Sequence, residues 1–156
     1  EHRFVEPAKS QLRTRALAAT YLNDTVLKQL DQHASRAWEN ICQQHVMREA
    51  LGVSAVGRWW GKVPTGQGQR TEEREIDVVG INGSKTPLVV GMCKWTNSDM
   101  DFDELNLLER LAQHVEGHTG TEQRYLFSRS GFSARLRAHA SSDRQLHLVT
   151  PADIYW

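Results

Sequence analysis

Glu75-Ile-Asp77-Val-Val-Gly-Ile81, then Asn82-Gly83-Ser84-Lys85-Thr86-Pro87, then Leu88-Val-Val-Gly-Met92-Cys-Lys94-Trp95 is the run whose reading decides the fold. Two apolar segments of strand length flank a stretch whose Asn-Gly and Pro are turn and breaker signals, so the run reads as a hairpin of two mostly buried strands. Each strand holds a charge where charge is costly to bury, Asp77 in the first and Lys94 in the second. Period two puts Met92 and Lys94 on one face of the second strand. With Asn82 to Pro87 as the loop, Asp77 falls opposite Met92. A shorter Asn-Gly turn would slip that register.

An acid and a lysine on neighbouring strands outline a metal-and-water site. A carboxylate holds a hard divalent cation, and a lysine beside it orients or deprotonates a water. Asp77, followed fifteen residues later by Met92-x-Lys94, resembles the Asp…Glu-x-Lys signature of the PD-(D/E)XK nuclease superfamily. More narrowly, Val56-Gly-Arg-Trp-Trp-Gly-Lys62, Glu75-Ile-Asp-Val-Val79 and Gly91-Met-Cys-Lys-Trp95 are together similar to the domain of unknown function 234, over roughly residues 35 to 155. That resemblance implies a restriction-endonuclease-like core placed at the C-terminus of an archaeal-type ATPase of the AAA+/STAND kind. Family members usually read Gly-Glu-Cys-Lys-Trp; this chain has Met92 where that Glu belongs.

Working outward, residues 1–25 show little periodicity and read as a linker or N-terminal extension, with a helical stretch near Leu12 to Leu22. Residues 26–156 read as the nuclease-like domain. Apolar residues at Leu27, Leu30, Ala34, Trp38 and Ile41 trace one helical face from Val26 to Leu51, and Gly52 ends it. Val53 to Gly61 reads as the first strand, and the polar, Gly-rich residues 62–72 as a loop. After the hairpin, an acidic start at Asp99 to Asp103 leads into a helix with Leu105, Leu108, Leu111, Ala112 and Val115 on one stripe, ending at Gly117. Gln123 to Ser128 is a strand, a helix of about ten residues follows Ser133, Leu146 to Val149 is the last strand, and Pro151 to Tyr155 closes with a helical turn. The expected class is α/β: a mixed central sheet in the order α-β-β-β-α-β-α-β, with helices on both faces.

Nineteen basic and nineteen acidic residues leave no overall pull toward nucleic acid or membrane. Two cysteines, Cys42 and Cys93, make no disulfide framework, so a reducing, cytoplasmic setting is the simpler expectation. No apolar run is long enough to span a bilayer.

In the resembled superfamily a glutamate on the first helix often completes the metal site, and Glu39 stands where that residue is expected; the alternative is an ordinary solvated glutamate at the core border. An intact set of Asp77, Glu39 and Lys94 would use magnesium or manganese to hydrolyse DNA, with Asp77 and Glu39 as metal ligands, Lys94 on the water and the Cys93 carbonyl as a further donor. A thioether at position 92 replaces a hard anionic ligand by a soft, weak one, so the site reads as degenerate unless Glu73 or Glu75 substitutes. Three functions follow: a nucleic-acid-associated or regulatory module of a larger ATPase with impaired metal chemistry, an active DNA endonuclease, or a protein-binding module that controls the ATPase. Weaker constellations are Cys42-x-x-His45, His114-x-x-x-His118, and the arginines Arg124, Arg129, Arg135, Arg137 and Arg144; packing or a solvated face accounts for each.

Overall fold

The computed structural model describes residues 27–155. The expected linker at residues 1–25 lies outside them. The sheet, both cores and the site lie within the compact unit that begins at Trp38, and the first helix enters it from Trp38 onward. Five strands form one sheet in the spatial order β1-β2-β3-β4-β5: β1 (Ala55–Pro64), β2 (Thr71–Ile81), β3 (Pro87–Lys94), β4 (Gln123–Ser128) and β5 (Leu146–Val149). The helices are α1 (Leu27–Glu49), α2 (Phe102–Ala112), α3 (Ala134–Ser141) and α4 (Pro151–Tyr155). Strands β1 to β3 are antiparallel and joined by hairpins, while β3, β4 and β5 are parallel and joined through α2 and α3. Parallel neighbours need such crossovers. The order is the one expected for a restriction-endonuclease-like core.

β3 and β4 have apolar side chains on both faces, so two cores form. Val90, Met92 and Leu126 face Leu105, Leu108 and Leu111 of α2. Val78, Val89, Tyr125 and Phe127 face Trp38, Cys42 and Val46 of α1, spaced four apart along one side of that helix. The start of α2 is fixed by a capping box: Asp101 accepts at the first turn and Glu104 reaches back to the Asp101 N–H. Its end comes at Ala112, earlier than the expected Gly117, which instead takes a φ of 85° in the turn beyond.

Two details correct the sequence reading. Residues 62–72 are not all loop, because β1 runs on to Pro64 and β2 starts at Thr71, with Lys62 opposite Glu73 and Trp60 opposite Glu75. Of residues 62–72 only Val63 reaches the α2 core; the opposite face of this outer hairpin carries Trp60, Lys62, Glu73 and Glu75 in solvent, so the segment resembles a loop in composition. Between β2 and β3, Asn82 organises the turn by accepting from the N–H groups of Ser84 and Thr86. The positive φ there, 65°, falls on Lys85 rather than on Gly83.

Candidate functional site

The β2–β3 ladder pairs Gly80 with Val89, Val79 with Val90 and Val78 with Gly91, and there it stops. One further step in that register sets Asp77 opposite Met92. Beyond it β3 continues to Lys94 and β2 extends the other way to Thr71, so the two strands diverge into a fork. A bulge against β1 helps to open it: two β2 residues, Asp77 and Val78, lie opposite the single residue Arg58. The Asp77 carboxylate fills the opening. Its Oδ2 accepts from the Cys93 N–H at 2.9 Å, where a backbone carbonyl would sit in an unbroken ladder. The carbonyl of Asp77, displaced by the bulge, accepts from Gln43 Nε2 on α1 at 2.9 Å. N–H and C=O of one strand residue point the same way, so the Cys93 carbonyl also faces the fork.

On the α1 side of the fork, Arg58 Nη2 is 2.5 Å from Glu39 Oε2, and its Nη1 is 3.9 Å from Glu75 Oε2. Burial raises the Asp77 carboxyl to about 6; the Cys93 N–H pulls it back, and the charge and hydrogen bond of nearby Glu39 raise it again. Two carboxyl groups thus meet, with a guanidinium bridging to the second. The structure brings Asp77 and Glu39 together.

On the α2 side stand Met92 and Lys94. Met92 is 8% exposed and packs in the α2 core. The ammonium of Lys94 is 3.8 Å from Glu104 Oε2, at the start of α2. Its ion pair among the described residues is therefore with α2, not with Asp77. Glu75 reaches the α1 side through Arg58, while Glu73 lies farther along the outer hairpin.

These donors match a hard cation in kind but not in number. Two carboxyls and a carbonyl face the fork, one carboxyl is held by Arg58, and the third acid of the signature is a buried thioether. Among the described residues no three His, Cys, Asp or Glu side chains converge on one point. The set does not fit a tightly held magnesium ion.

The weaker constellations resolve into packing. His45 lies edge-on to Tyr125 and Phe127, and burial lowers its pKa. Both thiols are free; Cys42 is buried beside Cys93, whose thiol burial pushes well above its ordinary range. His118 Nδ1 is 2.9 Å from Glu122 Oε1. Of the arginines in the last third, Arg124 is held between Glu109 and Asp143, Arg129 lies over the Trp95 ring, and Arg135 makes a two-pronged contact with Asp101. Sequence reasoning missed Gln43 and the bond from Arg58 to Glu39. The one available signal for Gln43 was its position four residues after Glu39, on the same side of α1.

The sequence profile of DUF234, described as archaeal and bacterial proteins of unknown function, matches residues 2–108. That span starts earlier than the resemblance read from the motifs and stops within α2. No curated protein matches the chain significantly. Among solved structures, protein VC1899 from Vibrio cholerae is similar at a TM-score of 0.48 and 14% identity, over 91% of this chain and 33% of that one. The MspJI restriction endonuclease in complex with a 27-mer oligonucleotide is similar at 0.45 and 17%, over 94% and 32%. A repair endonuclease from Pyrococcus abyssi is similar at 0.39 and 15%, over 76% and 46%. The chain thus spans less than half the length of each of these three.

Proposed function

The chain belongs to the DUF234 family, and on that premise we propose that its β2–β3 fork is a nucleic-acid-binding site of nuclease type whose hydrolytic chemistry is impaired. The observation that carries this is the division of the signature residues. Asp77 and Glu39 meet under α1, whereas Lys94 pairs with Glu104 and Met92 fills the α2 core. A water held by the two carboxyls would lack both a firmly bound cation and the lysine that should orient it. What remains is a polar notch bordered by Arg58, with Lys62 farther along the same face of β1, which suits a phosphate backbone better than a bond-breaking step.

The test uses plasmid and oligonucleotide DNA with manganese. Retention on DNA at low salt without nicking, together with little heat on manganese titration, is the expected result. Nicking that disappears in Lys94→Ala would establish the active endonuclease instead, with Asp77, Glu39 and Lys94 as its catalytic residues. No retention on DNA would favour a protein-binding module. In keeping with the motif resemblance, the domain serves a larger ATPase as its C-terminal regulatory or DNA-engaging part. Among the described residues no helix is long and apolar enough to cross a membrane.

A further inference from the structure

On the outer β1–β2 hairpin the α2-side face is packed, with Val63 and Ile76 in the α2 core, while the α1-side face is open. Trp60 stands there 65% exposed, the largest aromatic surface the described residues leave to solvent. It lines a groove with Arg58, Glu73, Arg74 and Glu75. Trp60 is two residues from Arg58 on the same strand and directly across from Glu75. Arg58 in turn reaches Glu39 at the fork. Groove and fork are therefore one continuous surface, joined by a single guanidinium.

An indole face in water offers a flat apolar platform, and its guest is decided by the charge around it. The groove's two arginines balance its two glutamates, so it has no net formal charge to draw in a cation or an anion. Arg58 is satisfied by Glu39 and Glu75, and Arg74 lies 3.5 Å from Glu72. Glu73, by contrast, has no ion pair among the described ones. A neutral, planar group that stacks on the ring and donates N–H to a carboxylate suits this set. A nucleobase with an exocyclic amino group, cytosine, adenine or guanine, is such a group; thymine offers no amino group.

We propose that Trp60 is a stacking platform for an unpaired, amino-bearing base of a single-stranded segment whose backbone runs toward the β2–β3 fork, with the Glu75 and Glu73 carboxylates accepting from the base edge. This rests on the nucleic-acid reading of the fork and names its substrate class. A base inside a duplex cannot present its face to the ring, so the site selects single strands, loops or ends.

The test follows tryptophan quenching and anisotropy with labelled dC, dA and dT single strands of about ten nucleotides, and a duplex of equal length, in EDTA. Wild-type protein should bind dC and dA strands more tightly than dT or duplex. Trp60→Ala should weaken dC binding by about tenfold, equal to about 1.4 kcal/mol, with Trp60→Phe within about threefold of wild type. Glu75→Gln should shrink the preference for dC over dT. The exposed position of Trp60 lets these variants fold. Equal binding by wild type and Trp60→Ala overturns the platform and leaves DNA binding at the fork standing. Failure of wild type to bind any of the four probes overturns the platform and the nucleic-acid reading together.

Discussion

Asp77 holds its proton to a higher pH when folded than when unfolded, about 6 against an ordinary carboxyl near 4. Below the unfolded value both states are protonated and the folded state has its full advantage. As pH rises through about 6 the folded carboxyl ionises in a buried place, and that advantage is lost. The difference amounts to roughly 2 to 3 kcal/mol between about pH 4 and pH 7. Asn at position 77 keeps an acceptor for the Cys93 N–H and cannot ionise. Asp77→Asn should therefore be the more stable chain at pH 8, and urea melts of both across pH should diverge from about pH 4 upward. Subtracting the two profiles removes the histidines His45 and His147, which burial shifts the other way. Parallel profiles would mean that the carboxyl is not desolvated in the fork. Met92→Glu returns an acid to the strand position facing Asp77, next to Lys94. It should raise manganese affinity at least about tenfold in calorimetry, while metal-free stability falls by roughly 1 to 3 kcal/mol. A folded variant with unchanged affinity would show that position 92 does not open onto the fork. The register that points Asp77 toward Met92 was legible because turn length and alternation fix a register locally. The approach of Glu39 and the bond from Arg58 were not, since each joins elements separated by long stretches of chain and depends on how α1 lies on the sheet.

Strand β3 is the element on which both cores and the fork depend, and Gly91 shows how tightly it is held. A Cβ there would stand 3.1 Å from the Tyr125 carbonyl oxygen and 3.3 Å from Val78 Cβ, with a strand on either side unable to retreat. Gly91→Ala should cost roughly 1 to 3 kcal/mol by overpacking, read as a lowered urea midpoint at unchanged slope. A variant as stable as wild type would mean that β2 and β4 move apart freely at this point. The constraint also gives a physical reason for the glycine that opens Gly91-Met-Cys-Lys-Trp95. At this scale the sequence was most informative where burial imposes a period. The α2 stripe is unambiguous for that reason, whereas β3 and β4, buried on both faces, read as unbroken apolar runs of strand length. It was least informative at the outer hairpin, where one face is exposed, few apolar residues mark the buried one, and Lys62, Glu73 and Arg74 carry strand pairing that composition disguises as loop. The mixed sheet followed from connection type alone, because short turns force antiparallel neighbours and helical crossovers permit parallel ones.

For the whole molecule, nineteen positive and nineteen negative side chains cancel, so attraction to a polyanion must come from local groups. Of the arginines of the last third, Arg124 and Arg135 already have acidic partners and Arg129 lies over the Trp95 ring. The cations that continue outward from the fork along the outer hairpin are Arg58, Lys62, Arg70 and Arg74, of which Arg58 and Arg74 have acidic partners. Two or three phosphates is then the number this surface can neutralise. Counterion release scales with that number, so binding to a single strand should weaken with salt at a log–log slope of about −2. Lys62→Ala should flatten the slope by about 0.7 while leaving the preference for amino-bearing bases in place, because it touches backbone charge and not the base edge. The measurement is an anisotropy titration of one oligonucleotide across a series of salt concentrations. A slope near −5, or one indifferent to Lys62, would place the contact surface elsewhere on the molecule and separate DNA binding from the fork that Asp77 and Glu39 share.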